Sequence, residues 1–342
     1  MKNKTIIVSI MTLLLIGVVY WNVSCVGKPK YQTISHIPLC GETDYIHFIT
    51  ADTGYIITHI GELYDSIHSS YVYQTTDGGV YWEIVDSIPH YSFSKYSHTT
   101  YRDIVYCYMD DGKLSDNHRN SYFCFIDLKN HRHKVIDDAV YGPGKIFYNN
   151  DSIHFPAYKE KSRYIFRSGM ELNEMICASN TLPKDIKDIA YTESALALIT
   201  YNNMVYVLQS DQMSNHNIGF PCDGIVFSGN DCYITYWGNN EYDGGMIRYD
   251  CMLHRIAKMD YPSGYQTVEF IKTSNDSVII TCTQKDYCSL SDDIVYSIDK
   301  GQTWKKIHLC DPIVFPEISS YNAPYLYIKS TFANEIYKLK IE

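Results

Sequence analysis

Apolar and polar residues alternate along this chain in short runs of about five to eight residues, which is the period of a half-buried strand rather than a helix. "YIITHI", "YVYQT", "YFCFID", "MVYVLQS" and "SVIITCT" are examples, and Asn-Asp, Asp-Gly and Ser-Asn pairs separate such runs. Valine, isoleucine, threonine and tyrosine fill the runs, and these side chains fit a pleated surface. No segment keeps a helical period for more than a few turns. The pattern predicts an all-β protein.

The runs also repeat. One of them recurs at Tyr71, Tyr122, Tyr164, Met204, Met246, Ile294 and Ile336, about every 40–50 residues, which is the period of a four-stranded propeller blade. Ahead of it come a first strand, a tight turn and a second strand; behind it comes a fourth ("WEIVDSI", "HKVIDD", "RIAKMD", "WKKIHL"). The last unit, whose third strand reads "IYKLKI" from Ile336, is expected to have no fourth strand of its own, because the sequence stops at Glu342 directly after it. "YQTISHIPL", Tyr31 to Leu39, reads like the missing one. The expected fold is a seven-bladed β-propeller of antiparallel four-stranded blades, in which this N-terminal strand completes the last blade and removes the open edges. Six or eight blades are the alternatives.

Length changes the picture little, since 342 residues fit one large all-β domain or two smaller ones. The N-terminus changes it more. Lys2 and Lys4 precede an apolar run from Thr5 to Trp21, and "NVSC" ends at Cys25. A basic start, an apolar stretch and a small residue before cysteine resemble a bacterial lipoprotein signal, with Asn22 where the usual motif carries an apolar residue. Residues 1–25 are thus expected to be a signal peptide, 26–30 a short linker and 31–342 the propeller. Lipid on Cys25 would tether the propeller to a bacterial cell envelope; ordinary cleavage nearby and an uncleaved anchor are the alternatives, and all three export the remainder.

Net charge is −10, from 29 basic and 39 acidic residues, with no basic stripe of the kind a nucleic-acid binder needs. There are 11 cysteines, and several (Cys107, Cys124, Cys232, Cys282) sit inside strand-like runs as small buried side chains. Cys107 and Cys124 flank a polar stretch and can face one another across a hairpin. No CxxC spacing points to a zinc or redox centre, and no cofactor is expected.

Two turns carry a more specific signal. "SIDKGQTW" (Ser297, Asp299, Gly301, Thr303, Trp304) and "TTDGGVYW" (Thr75, Asp77, Gly79, Trp82) combine an Asp that accepts backbone N–H groups, a Gly able to take positive φ, and a Trp that anchors the hairpin. These residues resemble the Asp-box, or BNR repeat, and the blade phrasing around Tyr71 resembles exported BNR-like propellers, including photosystem II assembly factors. The resemblance implies the propeller fold and leaves function open, since the family holds sialidases, endoglucanases, receptors and non-enzymatic scaffolds. A sialidase would need three converging arginines and an Arg-Ile-Pro signature. None of Arg102, Arg119, Arg132, Arg163, Arg167, Arg248 and Arg255 precedes Ile-Pro, and Arg132 and Arg255 fall near turns at the periphery.

The connections between second and third strands are long in several units and rich in acid and tyrosine. The candidate binding residues there are Glu62, Tyr64, Asp65, Asp110, Asp111, Asp116, Glu241, Tyr242, Asp243, Asp286 and Tyr287. Tyrosine offers broad contact at small entropy cost, and carboxylates suit a cationic partner. Asp110 and Tyr242 begin stretches with calcium-turn character but lack a full ligand set. "NHRHK", with His131 and His133, reads as a turn. The chain is therefore expected to be a non-enzymatic, monomeric module that binds a protein or glycan through its long-loop face. The alternative is a glycoside hydrolase or lyase using carboxylates near a central channel.

Overall fold

The computed structural model describes residues 31–34, 41–60, 68–115, 118–140, 146–149, 152–159, 162–169, 175–177, 183, 186–191, 195–209, 212–219, 222–228, 231–236, 245–250, 255–260, 265–272, 278–284, 290–299, 302–314, 316–322, 324–330 and 336–341. Within them the alternating runs form strands, and the strands form four-stranded antiparallel sheets.

The first sheet is Glu42–Phe48, Gly54–Ile60, Ser69–Thr75 and Glu83–Pro89; the second is Ser92–Tyr101, Ile104–Ser115, His118–Asp127 and Arg132–Val140. The third is Phe147–Asn149, Ser152–Lys159, Ser162–Gly169 and Met175–Cys177, and the fourth is Ile186–Tyr191, Ala195–Thr200, Met204–Gln209 and Gln212–Asn217. Cys222–Ser228, Asp231–Tyr236, Gly245–Asp250 and Arg255–Asp260 make the fifth, and Tyr265–Lys272, Val278–Gln284, Leu290–Ser297 and Lys305–Val314 the sixth. The seventh takes Pro316–Asn322, Tyr325–Ser330 and Ile336–Lys340 from the end of the chain and Tyr31–Ile34 from its beginning. Tyr31 stands opposite Leu339 and Ile34 opposite Ile336, in the sheet where the sequence places this segment. Ser35 to Leu39 lie outside the described residues. The first strands of successive sheets touch one another in turn, and that of the seventh touches that of the first.

Among the described residues, apolar side chains of one sheet pack against the next at several interfaces, so that much of the core lies between sheets. Tyr45, Ile57 and Val72 of the first sheet meet Val105, Cys107 and Cys124 of the second; Tyr108 and Phe123 of the second meet Phe155 of the third. Ile199 and Val207 of the fourth meet Ile225 and Ile234 of the fifth. Between the seventh and first sheets Phe48 stacks on Tyr327 with ring centroids 4.0 Å apart and planes 4° from parallel. Lys338 Nζ lies 4.4 Å from the Tyr325 ring centroid and donates to the Ala51 carbonyl at 2.9 Å, which ties the last sheet to a turn of the first. At a partly exposed site such a cation–π contact is worth about 0.5–1 kcal/mol.

Two readings change. The polar stretch at Asp110–Asn120, expected as a loop, is mostly strand: after a register shift between Asp110 and Leu114, pairing resumes with Leu114 opposite Arg119 and Ser115 opposite His118. The neighbouring strands stop pairing at Asp110 and Ser121, so the continuation is a two-stranded arm. Pairing at Leu114 and Ser115 gives backbone groups there partners, which a polar composition does not forbid. Likewise "NHRHK" is turn only as far as His131 (φ 51°); Arg132 begins the fourth strand, and His133 Nδ1 lies 2.8 Å from Asp86 Oδ2 of the first sheet.

Candidate functional site at the loop-bearing end

Strand direction sorts each sheet into two ends. At one end lie the turns between first and second strands and between third and fourth; at the other lie the second-to-third connections and the links to the next sheet. The turn-bearing end is locally bonded. Asp77 Oδ1 accepts the Thr75 hydroxyl at 2.8 Å and the Val80 and Tyr81 amides at 3.0 Å each. Gly79 takes φ 98° and passes its amide to Thr75 Oγ1, while Trp82 Nε1 donates to the Gly79 carbonyl at 3.1 Å. Asp299 repeats this with the Ser297 hydroxyl, the Thr303 amide and the Thr303 hydroxyl; Gly301 lies outside the described residues and Trp304 is half-buried. The Tyr81 amide, then the Thr75 hydroxyl, hold the Asp77 carboxyl below the usual carboxylate range. At Asp299 burial pushes upward, but the bonds from Thr303 and Ser297 outweigh it and the carboxyl is again lowered. An amide also crosses this end in three sheets: Gly78 to the Asp52 carbonyl, Leu128 to Asp103 and Ile341 to Pro324. Asp127, accepting from Asn130 and Arg132, does in the second sheet what Asp77 does in the first.

The other end holds the candidate binding residues. Glu62, Tyr64, Asp65, Asp116, Glu241, Tyr242, Asp243, Asp286 and Tyr287, with Cys25, lie outside the described residues. Asp110 and Asp111 are described, and they stand at the base of the arm. Ser121 Oγ donates to Asp110 Oδ1 at 2.7 Å, and Tyr122 donates its hydroxyl to Asp111 Oδ2 at 3.1 Å. Tyr122 also meets Tyr91 edge to face, centroids 5.2 Å apart. The arm rests on the first sheet at Gly112, whose φ is 71°: a Cβ there would stand 1.9 Å from His68 Nε2. His68 is buried, its Nδ1 lies 3.0 Å from Ser92 Oγ, and its Nε2 has no hydrogen-bond partner among the described residues. Ser70 joins the same seam, accepting from the Phe93 amide and donating to the Tyr91 carbonyl. Sequence reasoning did not find His68, Ser70 or Tyr91.

A second group at this end was also missed. The first strands of five sheets skip a residue near their start: Asp44, Lys187, Asp223, Gln266 and Ser319 each fall in a register shift. A bulge re-aims the side chain it carries. In the first sheet Asp44 is brought to His59, with Oδ2 2.5 Å from Nδ1 and the carboxylate fully enclosed. Burial lifts the Asp44 carboxyl above its usual range, although the His59 bond and charge pull it down. Its Oδ1 has no partner among the described residues. In the fourth sheet Lys187 Nζ donates to the Cys222 carbonyl at 2.7 Å and Asp188 Oδ2 accepts the Ile225 amide at 2.9 Å, so bulged ends also bind sheet to sheet. Among the described residues no group of three or more histidine, cysteine or acidic side chains is placed to hold a metal ion, and no helix is long and apolar enough to cross a membrane.

No family model matches the chain, and no curated protein matches it in sequence. Solved structures do. YCF48 bound to a D1 peptide superposes with a TM-score of 0.61 at 12% identity, covering 93% of this chain and 97% of that one. YCF48 from Cyanidioschyzon merolae gives 0.58 at 14%, covering 91% and 98%. The WD40 domain of Toxoplasma gondii coronin gives 0.59 at 9%, covering 91% and 85%. At such identities the likeness is one of fold, and the fold of this chain is a β-propeller.

Proposed function

We propose that this chain is a seven-bladed propeller, closed by Tyr31–Ile34 in the last blade, that binds a protein partner at its loop-bearing end and serves assembly rather than catalysis. The observation that carries the binding site is the arm. A hairpin that outruns its sheet by several residues, seated on a neighbouring sheet through Gly112 and His68, holds tyrosine and carboxylate at fixed positions above a rigid scaffold. The acidic, tyrosine-rich character of the remaining loops at that end supports a basic, extended partner segment. That the similar YCF48 is bound to a peptide supports a protein over a glycan. The hydrogen bonding of Asp77 and Asp299 supports the Asp-box reading of the two turns. The leader up to Cys25 supports tethering at a bacterial cell envelope by lipid.

Photo-crosslinking in the source cells tests the partner and its face together. A benzoylphenylalanine in place of Tyr122 is expected to yield a discrete crosslinked protein, while the same group in place of Tyr81, 69% exposed at the opposite end, yields none. Crosslinks from Tyr81 alone, or none from Tyr122, would contradict the reading.

A further inference from the structure

Cys107 and Cys124 are directly opposed on adjacent strands of the second sheet. Both are free thiols, both are wholly buried, and both enter the core shared with Tyr45, Ile57 and Val72, so the two sulfurs lie on one side of the hairpin. Opposed residues in an antiparallel pair have Cα atoms about 4.5–5.5 Å apart, within the roughly 4.4–6.8 Å a disulfide needs. Cys222 and Cys232 share a core too, but their register partners are Tyr236 and Phe227.

We propose that Cys107 and Cys124 form a redox-responsive staple, a dithiol that closes to a cross-strand disulfide when the chain folds in the presence of a disulfide donor. One thiolate attacks a sulfur of the donor and releases a donor thiol. The second thiolate then attacks the protein sulfur of that mixed disulfide and releases the other. The protein loses two protons and two electrons, and the donor disulfide is reduced to two thiols. Burial pushes the Cys107 thiol well above its ordinary pKa, so exchange proceeds while the hairpin forms or opens rather than in the packed sheet. The bond lies in the hairpin that carries the arm, with the Tyr108–Phe123 and Met109–Tyr122 pairs between it and Asp110. The inference stands on the hairpin alone and does not depend on the partner proposed above.

Refolding the reduced chain in a mixture of oxidised and reduced glutathione, followed by peptide mapping without reductant, tests it. The expected product carries a peptide linking Cys107 to Cys124 in most molecules and a Tm about 5 °C above the reduced form, reversed by dithiothreitol. Cys107→Ala removes both signals and Cys222→Ala removes neither. Glutathione adducts or free thiols at 107 and 124, links from either to a different cysteine, or a mapped link with unchanged Tm would overturn the proposal. Should Cys107→Ala not fold, the mapping and reversal on the unaltered chain decide alone.

Discussion

Asp77 gathers two backbone amides and a hydroxyl onto one oxygen, and Asp299 gathers an amide and two hydroxyls on its two oxygens. Both carboxyls are lowered, so each stabilises the fold fully above the unfolded value of 3.8, and that stability is lost as pH falls through the lower folded value. Asp77→Ala is accordingly expected to lower Tm at pH 7 and to make little difference near pH 2, which thermal melts across that range check. Asp44 has the opposite sign. Its raised value means that the folded state binds more protons, so wild-type stability falls as pH rises above 3.8. Asn can still accept from His59, so the stability of Asp44→Asn relative to wild type should climb as pH rises above 3.8; a flat difference would contradict the assignment. The Asp77 turn was legible in the sequence because all its partners lie within a few residues. The Asp44–His59 pair was not, because it depends on a register and a bulge that join residues 15 apart.

At the scale of the element, the arm and the bulges show what a period-two reading loses. Alternation located the third strand of every sheet, but the Asp110–Ser121 continuation has no apolar face to alternate, so composition made it a loop. The bulges do carry a sequence signal: two small or polar residues in succession at Thr43-Asp44, Lys187-Asp188, Asp223-Gly224, Gln266-Thr267 and Ser319-Ser320 break the period at the skipped position. Gly112→Ala tests the seat of the arm. Its positive φ and the 1.9 Å approach to His68 leave no room for a Cβ, and strain of about 1–3 kcal/mol should lift the arm. Limited proteolysis within residues 112–120 is expected to quicken about tenfold while the Tm of the remainder changes little; unchanged cleavage would show that the arm is held elsewhere.

Across the whole molecule, neighbouring sheets depend on one another because the described core clusters lie between them. The interface between the last sheet and the first joins the two ends of the chain. Phe48, 2% exposed, stacks on Tyr327 there and meets Trp82 edge to face, so Phe48→Ala should cost about 3–5 kcal/mol and appear as a large drop in the urea midpoint. Repeat spacing and the missing last strand made the pairing of Tyr31–Ile34 legible. Which side chains meet across the seam was not, since Phe48 comes together with Lys338 and Tyr327 from about 280 residues away in the chain.

Amide hydrogen exchange at Ile336–Lys340, compared between the chain beginning at residue 26 and one beginning at residue 41, tests that closure most directly. Slow exchange in the first and loss of protection in the second is the result expected from a terminal strand that completes the last sheet. Equal protection in both would contradict it.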